Sequence, residues 1–274
     1  MAHNLPIATI LIIVATVAVS FLAFKDDALR NRLIFSPRAI LANKEYYRIV
    51  TSAFLHADWQ HLFFNMITLG LFGQMMEPAV GIGRFILIYF AGIVGGNQLS
   101  LYLHRNHEYF ALGASGGVCG IVFSSVFLFP GESIGSVFLP FGIPGWLYAI
   151  LFLGTEFYGG RRQRTNIGHD AHLGGAIIGL LTATALFPEI VLWSPRLYAT
   201  VIVLTLGIFI YFWKNPLNLP LQDWSRRESS SPEKPLQSGP TADEVDTVLE
   251  KVAQSGIQSL TKKERKILEQ ASKK

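Results

Sequence analysis

The sequence predicts an all-α polytopic membrane protein: a bundle of six transmembrane helices, a seventh helix after it, and a small soluble helical tail. Three observations carry this. Half of the 274 residues are hydrophobic and only 15% are charged, against the roughly 25% charge usual in soluble domains. The charges are also unevenly spread, 22 of them in residues 1–213 and 20 in residues 214–274. Finally, seven apolar runs follow one another before residue 214, several approaching the ~20 residues that a helix needs to cross a bilayer.

The runs can be read in order. Leu5 to Phe24 is read as a retained first span, closed by Lys25, Asp26 and Asp27. A polar stretch extends to about His56. Runs at about 59–76, 84–103 and 113–129 follow with short loops between them. A glycine- and proline-punctuated segment then leads to a run at about 145–158, with Pro144 where a helix would begin. Runs at about 169–187 and 197–213 complete the set. The expected domains are therefore a six-span core over 1–187, a seventh span over 188–215, a linker over 216–240 rich in Pro, Ser and charge, and a soluble tail over 241–274. In the tail, Thr241 with Glu244 and Thr261 with Glu264 have capping-box spacing. Val245, Val248, Leu249 and Val252 fall on one helical face.

Composition excludes several classes. Each part carries a net charge of +2, so nothing suggests a nucleic-acid partner. The single cysteine, Cys119, rules out an intrachain disulfide and a thiolate zinc cluster. The expected surroundings are the lipid bilayer and other transmembrane proteins, with no cofactor.

Polar side chains inside spans are expensive and mark candidate functional sites. His61 and Asn65 are four apart and share a helical face, with His56 just before them. Ser115 lies in Gly113-Ala-Ser-Gly116-Gly, at the start of a span. Those letters also satisfy G-x-S-x-G, but the soluble fold which that motif requires is absent. Gly116 and Gly120 alone would read as a helix-packing face. His172 is followed by Gly175 and Gly179, which clear the face beside it for a partner helix. Asp170 cannot complete a triad with His172, because residues two apart point to different faces. It reads as a solvated or loop-paired carboxylate at the helix entry. His169, His172, His56 and His61 could in principle gather a zinc ion. There is no H-E-x-x-H, however, and no carboxylate spaced to serve a metal-bound water, so no metal is expected. A serine, a histidine on a cleared face and an Asn/His pair together suggest a nucleophile, a base and oxyanion donors.

These residues resemble the rhomboid family of intramembrane serine proteases over roughly residues 45–187. The resemblance rests on Tyr47-Arg48, Phe54-Leu55-His56, His61-x-x-x-Asn65, Gly113-Ala-Ser115-Gly116 and Ala171-His172-x-x-Gly175-x-x-x-Gly179. It implies a six-helix rhomboid bundle in which Ser115 is the nucleophile and His172 the base, with no carboxylate member. Asn65, His61 and the Ser115 N–H would hold the oxyanion, with His56 in support. It further implies cleavage of transmembrane-helix substrates, in an integral protein of the bacterial plasma membrane. Three departures stand out. Cys119 replaces the aromatic residue that many rhomboids stack on the catalytic histidine, Tyr47-Arg48 replaces the usual Trp-Arg, and the seventh span and tail lie outside the six-helix core. The alternative is a rhomboid-like pseudoprotease or membrane chaperone that binds transmembrane helices without cutting them. The family topology places the loops 25–58, 104–112 and 159–168 outside. These hold ten Lys and Arg against two inside, Arg84 and Arg196, the reverse of the usual bias.

Overall fold

A computed structural model describes residues 5–106, 108–136, 139–162, 168–214, 242–255, 257–261, 264–265, 268 and 271. The linker over 216–240, Thr241 and Gly256 lie outside the described residues. The chain forms two units, Met1–Gln222 and Asp223–Lys274.

Among its described residues, the first unit is helical apart from one hairpin and the connecting loops. Each apolar run is a helix: α1 Ile7–Ala23, α5 Trp59–Val80, α6 Ile82–His104, α7 Ser115–Leu128, α8 Gly145–Arg162, α9 His169–Leu186 and α11 Pro195–Lys214. Short helices α2 Asp27–Leu33, α3 Pro37–Ala42 and α4 Arg48–Thr51 fill the first loop, and α10 Ile190–Trp193 precedes α11. Strands β1 Ser133–Ser136 and β2 Leu139–Pro144 pair antiparallel before α8.

Among the described residues, only α6 is both long and apolar enough to qualify by itself as a membrane span. The apolar parts of α1, α7, α8 and α11 are shorter. Helices α5 and α9 have the length, but His61, Asn65, Gln74 and Glu77 in one and His169, Asp170 and His172 in the other dilute their hydropathy. The burial pattern is that of a protein whose exterior is not aqueous. Asn65, Glu77, Ser100, His104 and Ser124 are buried, while Leu11, Val14, Leu87, Leu151 and Val203 are exposed.

The centre of the unit is α7, flanked by α6 and α9. Twelve of its 14 residues are buried. The three helices meet backbone to backbone. A side-chain carbon on Gly175 would overlap the Gly116 carbonyl, one on Gly179 would overlap Gly120, and one on Gly96 would overlap the Ala171 carbonyl. At Gly92 it would lie 2.9 Å from the Gly116 oxygen. Only residues without a side chain permit this approach.

The amino-terminal helix is held differently. Pro6 gives α1 no side-chain cap, and its first turn is capped instead by Glu77 from the far end of α5. The Glu77 carboxylate accepts the N–H groups of Ala8 and Thr9, both at 2.8 Å, and the Thr9 hydroxyl at 2.7 Å. A negative group at a helix N-terminus satisfies orphan donors and meets the positive end of the dipole. Gly73, one turn before Glu77, gives Thr9 the room to sit there.

The polar first loop is an ordered structure. Asp26 caps α2 through the Leu29 N–H, and Ser36 caps α3 ahead of Pro37. The buried Arg48 donates to Glu45 and to the carbonyls of Asn31 and Ile34, at 2.6, 2.7 and 2.8 Å. Thr51 donates to the Leu33 carbonyl at 3.0 Å. Part of the positive charge of this loop is therefore spent on internal bonds.

The second unit contains α12, Ala242–Ser255, and a 3-10 turn, Ile257–Ser259. Val248 and Leu260 are buried, Val245 and Val252 half-buried, and Leu249 exposed. Thr261 and Glu264 form a reciprocal capping box, with N–H to side-chain distances of 2.7 and 3.4 Å. The Lys251 ammonium, 2.8 Å away, and then the Thr261 N–H and hydroxyl together hold the Glu264 carboxyl down to about 2.

Two substitutions test this packing. Gly175→Val should lower the thermal stability of the detergent-solubilised protein by about 1–3 kcal/mol, since α7 and α9 must separate. Glu77→Ala should cost about 2 kcal/mol by uncapping α1, read as an earlier melting point together with faster proteolysis near Pro6.

Candidate active site

The sequence-predicted residues converge around the first turn of α7. Ser115 is the first residue of that helix, so its N–H is among the donors that have no partner inside the helix. The chain reaches it through Gly113, whose φ of +130° is a conformation that side-chain-bearing residues rarely adopt. Gly113 is also bare for a second reason. A side-chain carbon there would lie 2.9 and 3.0 Å from the Cε1 and Nε2 atoms of His61, and 3.6 Å from the Ser115 hydroxyl. It lies ahead of the helix, against these side chains.

His172 projects from the first turns of α9, and its Nε2 lies 2.7 Å from the Ser115 Oγ. The glycine contacts explain the approach. Gly175, one turn beyond His172, rests on Gly116, the neighbour of Ser115. The same contact that packs α9 on α7 sets the histidine opposite the serine. Both residues are half-buried.

His61 and Asn65 lie on α5 as their spacing predicts. The Asp58 carboxylate caps α5 through the His61 N–H at 2.8 Å. The Ala57 N–H faces the His61 Nδ1 at 3.5 Å, which leaves Nε2 on the edge turned toward Gly113 and Ser115. The buried Asn65 gives one amide proton to the His61 carbonyl at 3.0 Å, and an amide NH₂ carries a second.

His56 stands behind the segment that leads to Ser115. Its Nε2 lies 3.4 Å from the Ala114 N–H, and its Nδ1 lies 3.0 Å from the Ser20 hydroxyl, which donates to the Phe54 carbonyl. An acceptor at Nε2 requires the proton on Nδ1. Burial, and then the neighbouring His61, push the His56 imidazole down to about 3, so the ring stays neutral in this role. A further tie was not legible in the sequence. Asn97 on α6 donates to the Ile49 carbonyl at 2.7 Å and to the Ser52 hydroxyl at 3.2 Å, while the Ser52 carbonyl accepts the Gly113 N–H at 3.0 Å.

Two residues lie differently from the metal and triad possibilities. His169 faces His172 edge to face, with ring centres 6.2 Å apart. Among the described residues, no three His, Cys, Asp or Glu side chains gather to hold a metal ion. Asp170 turns away from His172. It is half-buried and paired rather than solvated, with one oxygen 3.1 Å from the Nε2 of His104 and the other accepting the Tyr109 hydroxyl at 3.4 Å. Its desolvation is made tolerable by those partners.

The chain is similar to known proteins over both of its units. The Rhomboid domain model matches residues 43–189, and a family of unknown function (DUF6576) matches residues 241–274. Rhomboid protease GluP of Bacillus subtilis is 31% identical over 177 residues, 64% of this chain and 33% of that protein. RHOMBOID-like protein 12, mitochondrial, of Arabidopsis thaliana is 28% identical over 187 residues, 61% of this chain and 54% of its own length. Rhomboid-like protein 11, chloroplastic, from the same plant is 34% identical over 146 residues, half of this chain and 51% of its own. The chain thus spans between a third and about half of the length of these relatives. With its motifs gathered at the start of α7 and the Rhomboid domain matched over more than half of its residues, this chain is an integral membrane protein of the rhomboid family.

Proposed function

We propose that this chain is an intramembrane serine endopeptidase that cleaves transmembrane-helix substrates through a Ser115–His172 dyad. The observation that carries the reading is the 2.7 Å contact between the Ser115 Oγ and the His172 Nε2 at the amino-terminal end of α7. His172 takes the serine proton as Oγ attacks the scissile carbonyl. The oxyanion that develops is met by the Ser115 N–H, the His61 Nε2 edge and the free proton of the Asn65 amide, aided by the α7 dipole. His172 then returns the proton to the leaving amine, and water hydrolyses the acyl-enzyme by the same steps in reverse roles. The name of GluP, a rhomboid protease, supports this chemistry.

The proposed setting is a six-helix bundle of α1, α5, α6, α7, α8 and α9 over 1–187, with α11 as a seventh span over 188–215, a linker over 216–240 and the tail over 241–274. A 14-residue α7 rises only about 21 Å, against a hydrocarbon core of ~30 Å. If its far end reaches one face of the bilayer, Ser115 lies below the other, where a substrate helix can be met. The bacterial match to GluP supports a bacterial inner membrane as the location.

The competing reading is a rhomboid-like protein that binds transmembrane helices without cutting them; the departure that bears on turnover is Cys119. It stands one turn after Ser115, where many rhomboids carry an aromatic support for the histidine. The two readings separate in vesicles carrying a reporter transmembrane substrate. Ser115→Ala and His172→Ala should each abolish cleavage, and Asn65→Ala should lower turnover by about 10²–10³ while leaving the protein folded. Undiminished cleavage by Ser115→Ala would sink the dyad. Binding of the reporter without cleavage by the unaltered protein would favour the chaperone.

A further inference from the structure

The chemistry proposed above leaves one polar cluster unused, with His104 buried and Tyr109 and Asp170 half-buried. His104 is the last residue of α6, Asp170 the second of α9, and Tyr109 belongs to the loop that leads to Ser115. The rings of His104 and Tyr109 stack within 3° of parallel with centres 3.7 Å apart. The two oxygens of Asp170 divide between them, 3.1 Å from the His104 Nε2 and 3.4 Å from the Tyr109 hydroxyl. We propose that the Asp170–His104–Tyr109 cluster is a clamp that fixes the rotation of α9, and so positions His172 against Ser115. This inference rests on the reading of those two residues as a dyad.

The physical need for such a clamp follows from the glycines. Faces made of Gly96, Gly174 and Gly175 let α9 lie close to α6 and α7, but smooth contacts do little to resist rotation or sliding. Hydrogen bonds are directional. Two residues apart on an α-helix are about 200° around its axis, so Asp170 and His172 point to opposite sides of α9. Tethering one side sets where the other points.

The same cluster also reaches the nucleophile. Tyr109 precedes a segment pinned at alternate residues, with Ala111 bonded both ways to Phe35 at 3.0 and 3.3 Å and Gly113 bonded to the Ser52 carbonyl. It also contacts the entry to α9, since a side-chain carbon on Gly168 would lie 3.4 Å from its hydroxyl. One group of side chains therefore ties the segment bearing the serine to the helix bearing the histidine, outside the site itself.

The test uses the full chain in phospholipid vesicles with Asp170→Ala, Asp170→Asn and Tyr109→Phe. Turnover, KM and melting temperature are measured, together with the imidazole nitrogen NMR shifts of His172, which report its hydrogen bond to Ser115. Misplacement on the order of 1 Å costs roughly 10²-fold in rate. Asp170→Ala should therefore lose about that factor in kcat at little-changed KM, and the His172 signal should move away from its hydrogen-bonded position. Asp170→Asn, which keeps an acceptor for His104, should recover most of both. Tyr109→Phe keeps the stack and loses only the hydroxyl. It should lose about 10-fold in kcat, and it decides the matter should Asp170→Ala fail to fold. The clamp is refuted if folded Asp170→Ala keeps its turnover, if Asp170→Asn recovers nothing, or if Tyr109→Phe retains both rate and His172 signal. Should the unaltered protein prove inert, the protease reading falls, and the NMR comparison still decides the clamp.

Discussion

The contact on which the rest of the molecule depends is the one between the backbones of α7 and α9 at Gly116 and Gly175. In a bilayer the hydrophobic effect does not drive helix against helix, because lipid tails are as apolar as leucine, so association relies on close packing and hydrogen bonds. Glycine provides the first. By removing every side-chain atom between two backbones, it lets Ser115, next to Gly116, and His172, one turn before Gly175, come within 2.7 Å. The packing contact and the Ser115–His172 contact are thus one feature. Gly113, with its positive φ beside His61, completes the approach by turning the chain into α7 where a side chain could not follow.

Hydrogen bonds provide the second means, and they account for most of the buried polar groups. Glu77 caps α1, Arg48 gathers the carbonyls of the first loop, and Asn97 steadies Ser52 and through it Gly113. Asp170 joins α6 to α9. Each of these four groups bears its desolvation because it is answered by a specific partner. Together they form a frame around α7 that holds the first loop, the segment leading to Ser115 and the entry to α9 in register.

The helices were legible because a long apolar run has few alternatives. All seven runs before residue 214 are helices, with ends within a few residues of those expected. The first loop was read only as polar, although Asp26 and Ser36-Pro37 carried recognisable cap signals for α2 and α3. The β-hairpin before α8 was hidden by glycines and prolines that read as punctuation. At the site, the spacing of His61 with Asn65 and of His172 with Gly175 and Gly179 could be read on one helix at a time. Glu77 and Asp170 were harder, since their partners lie 69 and 66 positions away and no local pattern announces such pairs. For Asp170 the local rule correctly denied it a place beside His172, and could not say where the carboxylate went.

The central claim is that Ser115 is a nucleophile activated by His172, and covalent trapping tests it most directly. Membranes containing the protein would be treated with a fluorophosphonate and the modified residue located by peptide mass spectrometry. The account predicts an adduct on Ser115 in the unaltered protein and none when His172 is replaced by alanine. An unmodified Ser115 in folded protein, or an adduct that forms as readily without His172, would contradict it.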